Sequence, residues 1–224
     1  MAVASQADGF DRAAAVTRSM LGWGVVAGPF YLIFGLILAL TRPGFALNRD
    51  ALSMLLLGNL GWLQATNLVL AGLMTLVAAV GMLRTPAWPR TAAVLVAVYG
   101  VCLFMSAVFP PDATADFPPG AGGGVFTISG MLHLVFGGIG FLSLGAAAFV
   151  AASWLARNTT AQAALWSRIA GAVIIVAFVA GGALARSPFG VGLLWLAVLA
   201  GWAWLALASV AAYRAVPHPV LARR

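Results

Sequence analysis

Residues 19–40 read SMLGWGVVAGPFYLIFGLILAL, an apolar run without one charged side chain. At 1.5 Å per residue, a helix of this length crosses the roughly 30 Å hydrocarbon core of a bilayer. Five more apolar runs follow, at Gly61–Leu83, Thr91–Phe109, Thr127–Ser153, Trp166–Ala185 and Gly190–Tyr213. They are continuously apolar and do not alternate with period two, which favours helices over a barrel. The expected fold is therefore all-α: a polytopic integral membrane protein with a bundle of six transmembrane helices over 19–213. Tails at 1–18 and 214–224 flank it. Arg12 and Arg18 precede the first run, as in a signal peptide. The run is too long for one and ends at Leu40-Thr41-Arg42-Pro43 without a small-residue cleavage pattern, so it reads as a retained span.

Composition agrees. The chain is 63% hydrophobic and 8% charged, where a soluble domain carries about 25% charged residues. All 12 basic residues are arginine, with no Lys and no Glu. Without lysine there is no Schiff-base chemistry, which excludes a retinal pigment. The net charge of +7 is spread over the connections and forms no cluster, so no nucleic-acid partner is expected. Arg12, Arg18, Arg84, Arg90, Arg157, Arg168, Arg214, Arg223 and Arg224 fall on the side of the two tails; only Arg42, Arg49 and Arg186 fall on the other. This asymmetry puts both termini in the cytoplasm of a multi-pass protein of the inner (plasma) membrane. Cys102 is the only cysteine, so there is no intrachain disulfide and no cysteine-based metal site.

Several local features add detail. Trp23, Trp62, Trp154, Trp166 and Tyr213 lie near span ends, as interfacial anchors do, whereas Trp202 and Trp204 lie near mid-span. Asn48 is placed to cap a short helix over Arg49–Leu57, ended by Gly58, with leucines resting on the outer membrane surface. Gly24/Gly28, Ala177/Gly181 and Ala197/Gly201 are small-xxx-small pairs that suit a compact bundle. The two halves show no internal repeat, so an inverted-repeat transporter is not supported.

Polar side chains within spans mark where chemistry would sit. Gln64 and Asn67, three residues apart, share a face of the second span. Ser106, Ser129 and His133 fall at a similar depth, below Asp112 and Asp116 of the third connection and on the side of Arg186. The candidate catalytic residues are Asp112, Asp116 and His133, a carboxylate orienting an imidazole for acid–base work. The candidate ligand-binding residues are Gln64, Asn67, Ser106, Ser129, Arg186 and Trp202. The bland alternative is that His133, Gln64 and Asn67 are interhelical hydrogen-bonding groups and the aspartates ordinary turn residues. One His and two Asp make a thin metal set, and no phosphate loop, dinucleotide fingerprint, HExxH or nucleophile elbow is present. No metal or cofactor is expected.

Three stretches carry a resemblance: Thr41-Arg42-Pro43-Gly44-Phe45; Ser53 to Gly58 leading into Gly61-Trp62-Leu63-Gln64 and Asn67; and Phe109-Pro110-Pro111-Asp112 through Phe117-Pro118 to Gly130-Met131-Leu132-His133. Together they resemble the bacterial six-span family known as domain of unknown function 998, from the first span to the last. The resemblance implies a six-helix membrane protein with an acidic outer loop and a His on the fourth span. It implies no mechanism, because the family has no settled activity. At Pro111 the chain departs from the family pattern, which often has Thr there.

Two functions compete at this level. The first is a non-enzymatic protein binding membrane lipids or another hydrophobic small molecule in an outward-facing polar pocket. The second is a membrane-embedded enzyme on a lipid or isoprenoid, a hydrolase or an acid-initiated cyclase, using Asp112, Asp116 and His133. A transporter ranks behind both, because no span carries a carboxylate.

Overall fold

The computed structural model describes residues 10–220. Arg223 and Arg224, counted in the charge asymmetry above, lie outside the described residues. Six α-helices follow in order: α1 Arg12–Thr41, α2 Gly61–Arg84, α3 Arg90–Val108, α4 Ile128–Asn158, α5 Ala161–Ala183 and α6 Pro188–Ala215. All six are long and apolar enough to cross a membrane, and there is no strand among the described residues. A short 3-10 helix, Leu52–Leu56, sits between α1 and α2.

The helices run past the apolar stretches, because caps and not hydropathy set where a helix ends. Asp11 accepts a hydrogen bond from the Ala14 amide at 3.0 Å and starts α1 well before Ser19. Thr160 does the same for Ala163 at 3.0 Å and starts α5 at Ala161. Thr127 caps α4, and Ser187 with Pro188 in the first turn opens α6.

Each helix packs against its neighbours in sequence, and α6 closes back onto α1 to complete a ring. Both termini emerge on one face. There the Asp11 amide donates to the Pro219 carbonyl at 2.9 Å. Arg18 donates to the Val216 carbonyl at 2.8 Å and lies 3.9 Å over the Tyr213 ring. The first, third and fifth connections lie on the opposite face. On the terminal face, small residues bring the helices together. Gly24 lies against Ser209 and Ala78, and Gly81 against Leu21. The Trp204 indole donates to Ser167 at 2.8 Å, and Ser167 to the Ala148 carbonyl at 2.7 Å, linking α4, α5 and α6.

Two expectations change. Trp154 is no interfacial anchor. It is fully buried, with its ring 4.6 Å from that of Trp88 and its indole donating to the Pro86 carbonyl at 3.2 Å. The element after Asn48 is not an α-helix on the membrane surface but the 3-10 turn, which starts after Ala51 without a side-chain cap and has Leu52, Met54, Leu55 and Leu56 buried against the bundle. Gly58, at φ +72°, lies just past its end.

Candidate functional site

The first and third connections form a cap over the face opposite the termini. Phe117 is fully buried and meets Phe45 edge-on at 5.4 Å. The Arg42 guanidinium donates to the Leu57 carbonyl, and partial burial lowers its pKa from the ordinary arginine value. Asp50, 2% exposed, accepts from the Ala46 amide at 2.8 Å and forms a 2.9 Å salt bridge with Arg49. That hydrogen bond holds Arg49 above the usual arginine range. The Trp195 indole of α6 donates to the Leu47 carbonyl at 3.1 Å and ties the cap to the ring.

Beneath the cap the ring is hollow. A cavity of about 330 Å³ lies between the 3-10 turn and an aromatic floor, a size in the range of small-molecule pockets. Tyr31, Tyr99 and Trp202 make the floor; Trp202 lies 5.3 Å from Tyr31 and 5.6 Å from Tyr99, centroid to centroid. Phe141 and Phe178, stacked at 4.5 Å, make a wall. Outside the Tyr and Trp rings the polar lining is sparse: Ser53, Ser106, Asp112 and His133. Leu134 of α4, Gly182 of α5 and Ala185 just beyond it line the cavity and are exposed, Leu134 at 61%, so the cavity is not sealed there.

Of the residues singled out in the sequence, His133, Ser106, Asp112 and Trp202 share this cavity. His133 Nδ1 lies 2.8 Å from the Phe109 carbonyl. A carbonyl only accepts, so Nδ1 carries the proton and the neutral ring keeps its lone pair on Nε2. Asp112 does not orient this imidazole. Its carboxylate sits on the start of α4, taking hydrogen bonds from the Thr127 amide at 3.2 Å and 3.3 Å and from the Thr127 hydroxyl. Thr127 in turn accepts from the Gly130 amide at 3.0 Å. An anion belongs at this helix end. Gly130 leaves room for the carboxylate, which a Cβ at that position would displace.

The other candidates lie elsewhere. Gln64 and Asn67 are fully buried but do not line the cavity. Asn67 donates to the Tyr31 carbonyl at 3.1 Å and to Gln64 Oε1 at 3.2 Å, so the pair stands behind Tyr31 and fixes α2 to α1. Ser129 donates to the Pro110 carbonyl at 2.9 Å and lines a separate outer recess of about 240 Å³ that shares Pro111 and Asp112 with the main cavity. Asp116 and Arg186 are exposed and line neither space. Among the described residues no group of three His, Cys, Asp or Glu side chains could hold a metal ion. The floor residues Tyr31 and Tyr99 and the wall residues Phe141 and Phe178 were missed in the sequence, where aromatic residues in apolar spans look alike.

A ring of six apolar helices around a capped cavity defines a multi-pass membrane protein. The family described as "Protein of unknown function (DUF998)" matches residues 25–211, and the chain belongs to it. No curated protein and no solved structure matches the chain.

Proposed function

We propose that this protein is a non-enzymatic binder of an amphiphile, a lipid or other hydrophobic small molecule, held in the cavity beneath the cap. The observation that carries the reading is the cavity's division into two ends. Apolar and aromatic side chains form its floor and wall, and Ser53, Ser106, Asp112 and His133 gather under the cap. An alkyl or isoprenoid chain suits the first end and a polar head the second. The exposure of the lining residues Leu134 and Gly182 supports entry from the membrane. An acid–base reaction is less well supported, because Asp112 would have to leave Thr127 to approach His133.

The arginine asymmetry supports cytoplasmic termini, with the cavity in the outer leaflet of the plasma membrane. Native mass spectrometry of gently solubilised protein tests the binding. The wild-type protein is expected to retain an amphiphile mass. Gly137→Trp, at a wall position whose only near neighbour is Phe178 at 3.6 Å, fills the space and is expected to lose it. A wild-type mass with nothing bound, or an adduct indifferent to the filled cavity, contradicts the reading.

A further inference from the structure

We propose that the cavity selects lipophilic cations, amphiphiles whose head is an ammonium group. This rests on the amphiphile reading above and adds the sign of the charge. Four observations point the same way.

The first is the charge inventory. Asp112 is the one charged side chain in the lining. The three arginines of that face do not line it. Arg42 is turned onto the Leu57 carbonyl, Arg49 onto Asp50 and the Gly44 carbonyl, and Arg186 is exposed outside. A phosphate or carboxylate head would enter with no cation to meet it and a carboxylate at hand. In a low-dielectric setting that is a severe penalty.

The second is the direction of the helices. α3 and α5 end on this face, and the cavity touches their last turns at Ser106 and Gly182, with Ala185 just beyond. Helix C-termini present carbonyls without intrahelical partners and a partial negative charge. The start of α4 carries about half a positive charge, and the Asp112 carboxylate bonded to Thr127 there leaves the pair net negative. On α6 the lining begins at Leu194, beyond the first turn after Pro188, where the helix-end field has faded.

The third is the floor. Tyr31, Tyr99 and Trp202, with Phe141 beside them, put electron-rich rings beneath the polar end, which attract a cationic head seated above them and repel an anionic one. The fourth is His133. Nδ1 donates to the Phe109 carbonyl, so the neutral ring brings an acceptor nitrogen, Nε2, to the lining, which suits an N–H donor and not an anion.

The test uses three probes with one chain: dodecylammonium, dodecanol and dodecanoate. Binding to full-length protein in a neutral detergent is measured by calorimetry, with Gly137→Trp as the filled-cavity reference that removes micelle partitioning. Dodecylammonium is expected to bind roughly tenfold tighter than dodecanol, and dodecanoate not at all above the reference. Asp112→Asn should bring the ammonium to within about threefold of dodecanol and leave dodecanol unchanged. That variant also disturbs the α4 cap, so Ser53→Arg serves as a second one. It adds a cation to the lining away from Thr127 and should shift preference to dodecanoate. If all three probes bind wild type equally, or dodecanoate binds tightest, the charge selection is wrong while the amphiphile reading stands. If no probe exceeds the filled reference, both fail.

Discussion

The two ends of this bundle are built from the same six helices and the same kinds of residue, yet one is solid and the other hollow. At the terminal face, glycine, alanine and serine let α1, α2 and α6 approach until Gly24 has no room for a Cβ beside Ala78 and Ser209. At the opposite face, Tyr31, Tyr99, Trp202, Phe141 and Phe178 hold the helices apart, and a cap closes the space that results. Small residues at contacts bring membrane helices together. Large rings whose polar atoms or faces remain unpartnered leave a space that the protein itself does not fill. The difference separates the part of the molecule that maintains the fold from the part available for a ligand.

The comparison can be broken most easily by adding bulk. Gly24→Leu at the solid end should cost at least about 3 kcal/mol, the upper end of what overpacking does; Gly137→Leu in the hollow should change stability by no more than about 1 kcal/mol. Thermal unfolding in detergent reads both, and equal losses would mean the hollow is not there. Removing bulk comes next. Trp154→Ala should cost about 3–5 kcal/mol. Phe178→Ala should cost about half that, since one side of its ring already lacks partner atoms. A smaller effect is expected at the junction of cap and ring. Gly130→Ala pushes a methyl into the Asp112 carboxylate and should cost about 1–2 kcal/mol, the worth of a helix cap. Hydrogen exchange should speed up at the Thr127 amide and stay unchanged around Trp154. Smallest of all, Arg18→Gln removes the contact with Tyr213 and the bond to the Val216 carbonyl. Melting should register about 0.5–1 kcal/mol, with no change in ligand retention.

The solid end was largely legible in the sequence. Hydropathy and length identified six spans, and the small-xxx-small pairs marked close contacts: Gly24 lies against Ser209 and Gly201 against Leu144, and nearer the hollow end Gly28 lies against Trp202 and Gly181 against Leu194. Helix ends were less legible, because Asp11 and Thr160 cap from within stretches that hydropathy assigns to tails and connections. The hollow end was legible only in part. Depth along a helix follows from counting residues, so Ser106 and His133 read at a similar depth below Asp112, and all three line the cavity. Facing does not follow from counting. Gln64 and Asn67 have the right depth but turn to the Tyr31 backbone. Asp112 turns to Thr127 and not to His133. Asp50 drew no notice, although its neighbour Arg49 was the signal that a buried carboxylate there has a counterion.

The most direct test of the account is photolabelling with a diazirine-bearing alkyl amphiphile in the membrane, followed by mapping of the adducts. The account predicts labelling of Tyr31, Tyr99, Phe141 and Phe178, suppressed by Gly137→Trp, and none at Trp88 or Trp154. Adducts confined to outward-facing residues such as Ile33 and Leu207, 60% and 70% exposed, would show that the amphiphile stays in the bilayer and would contradict it.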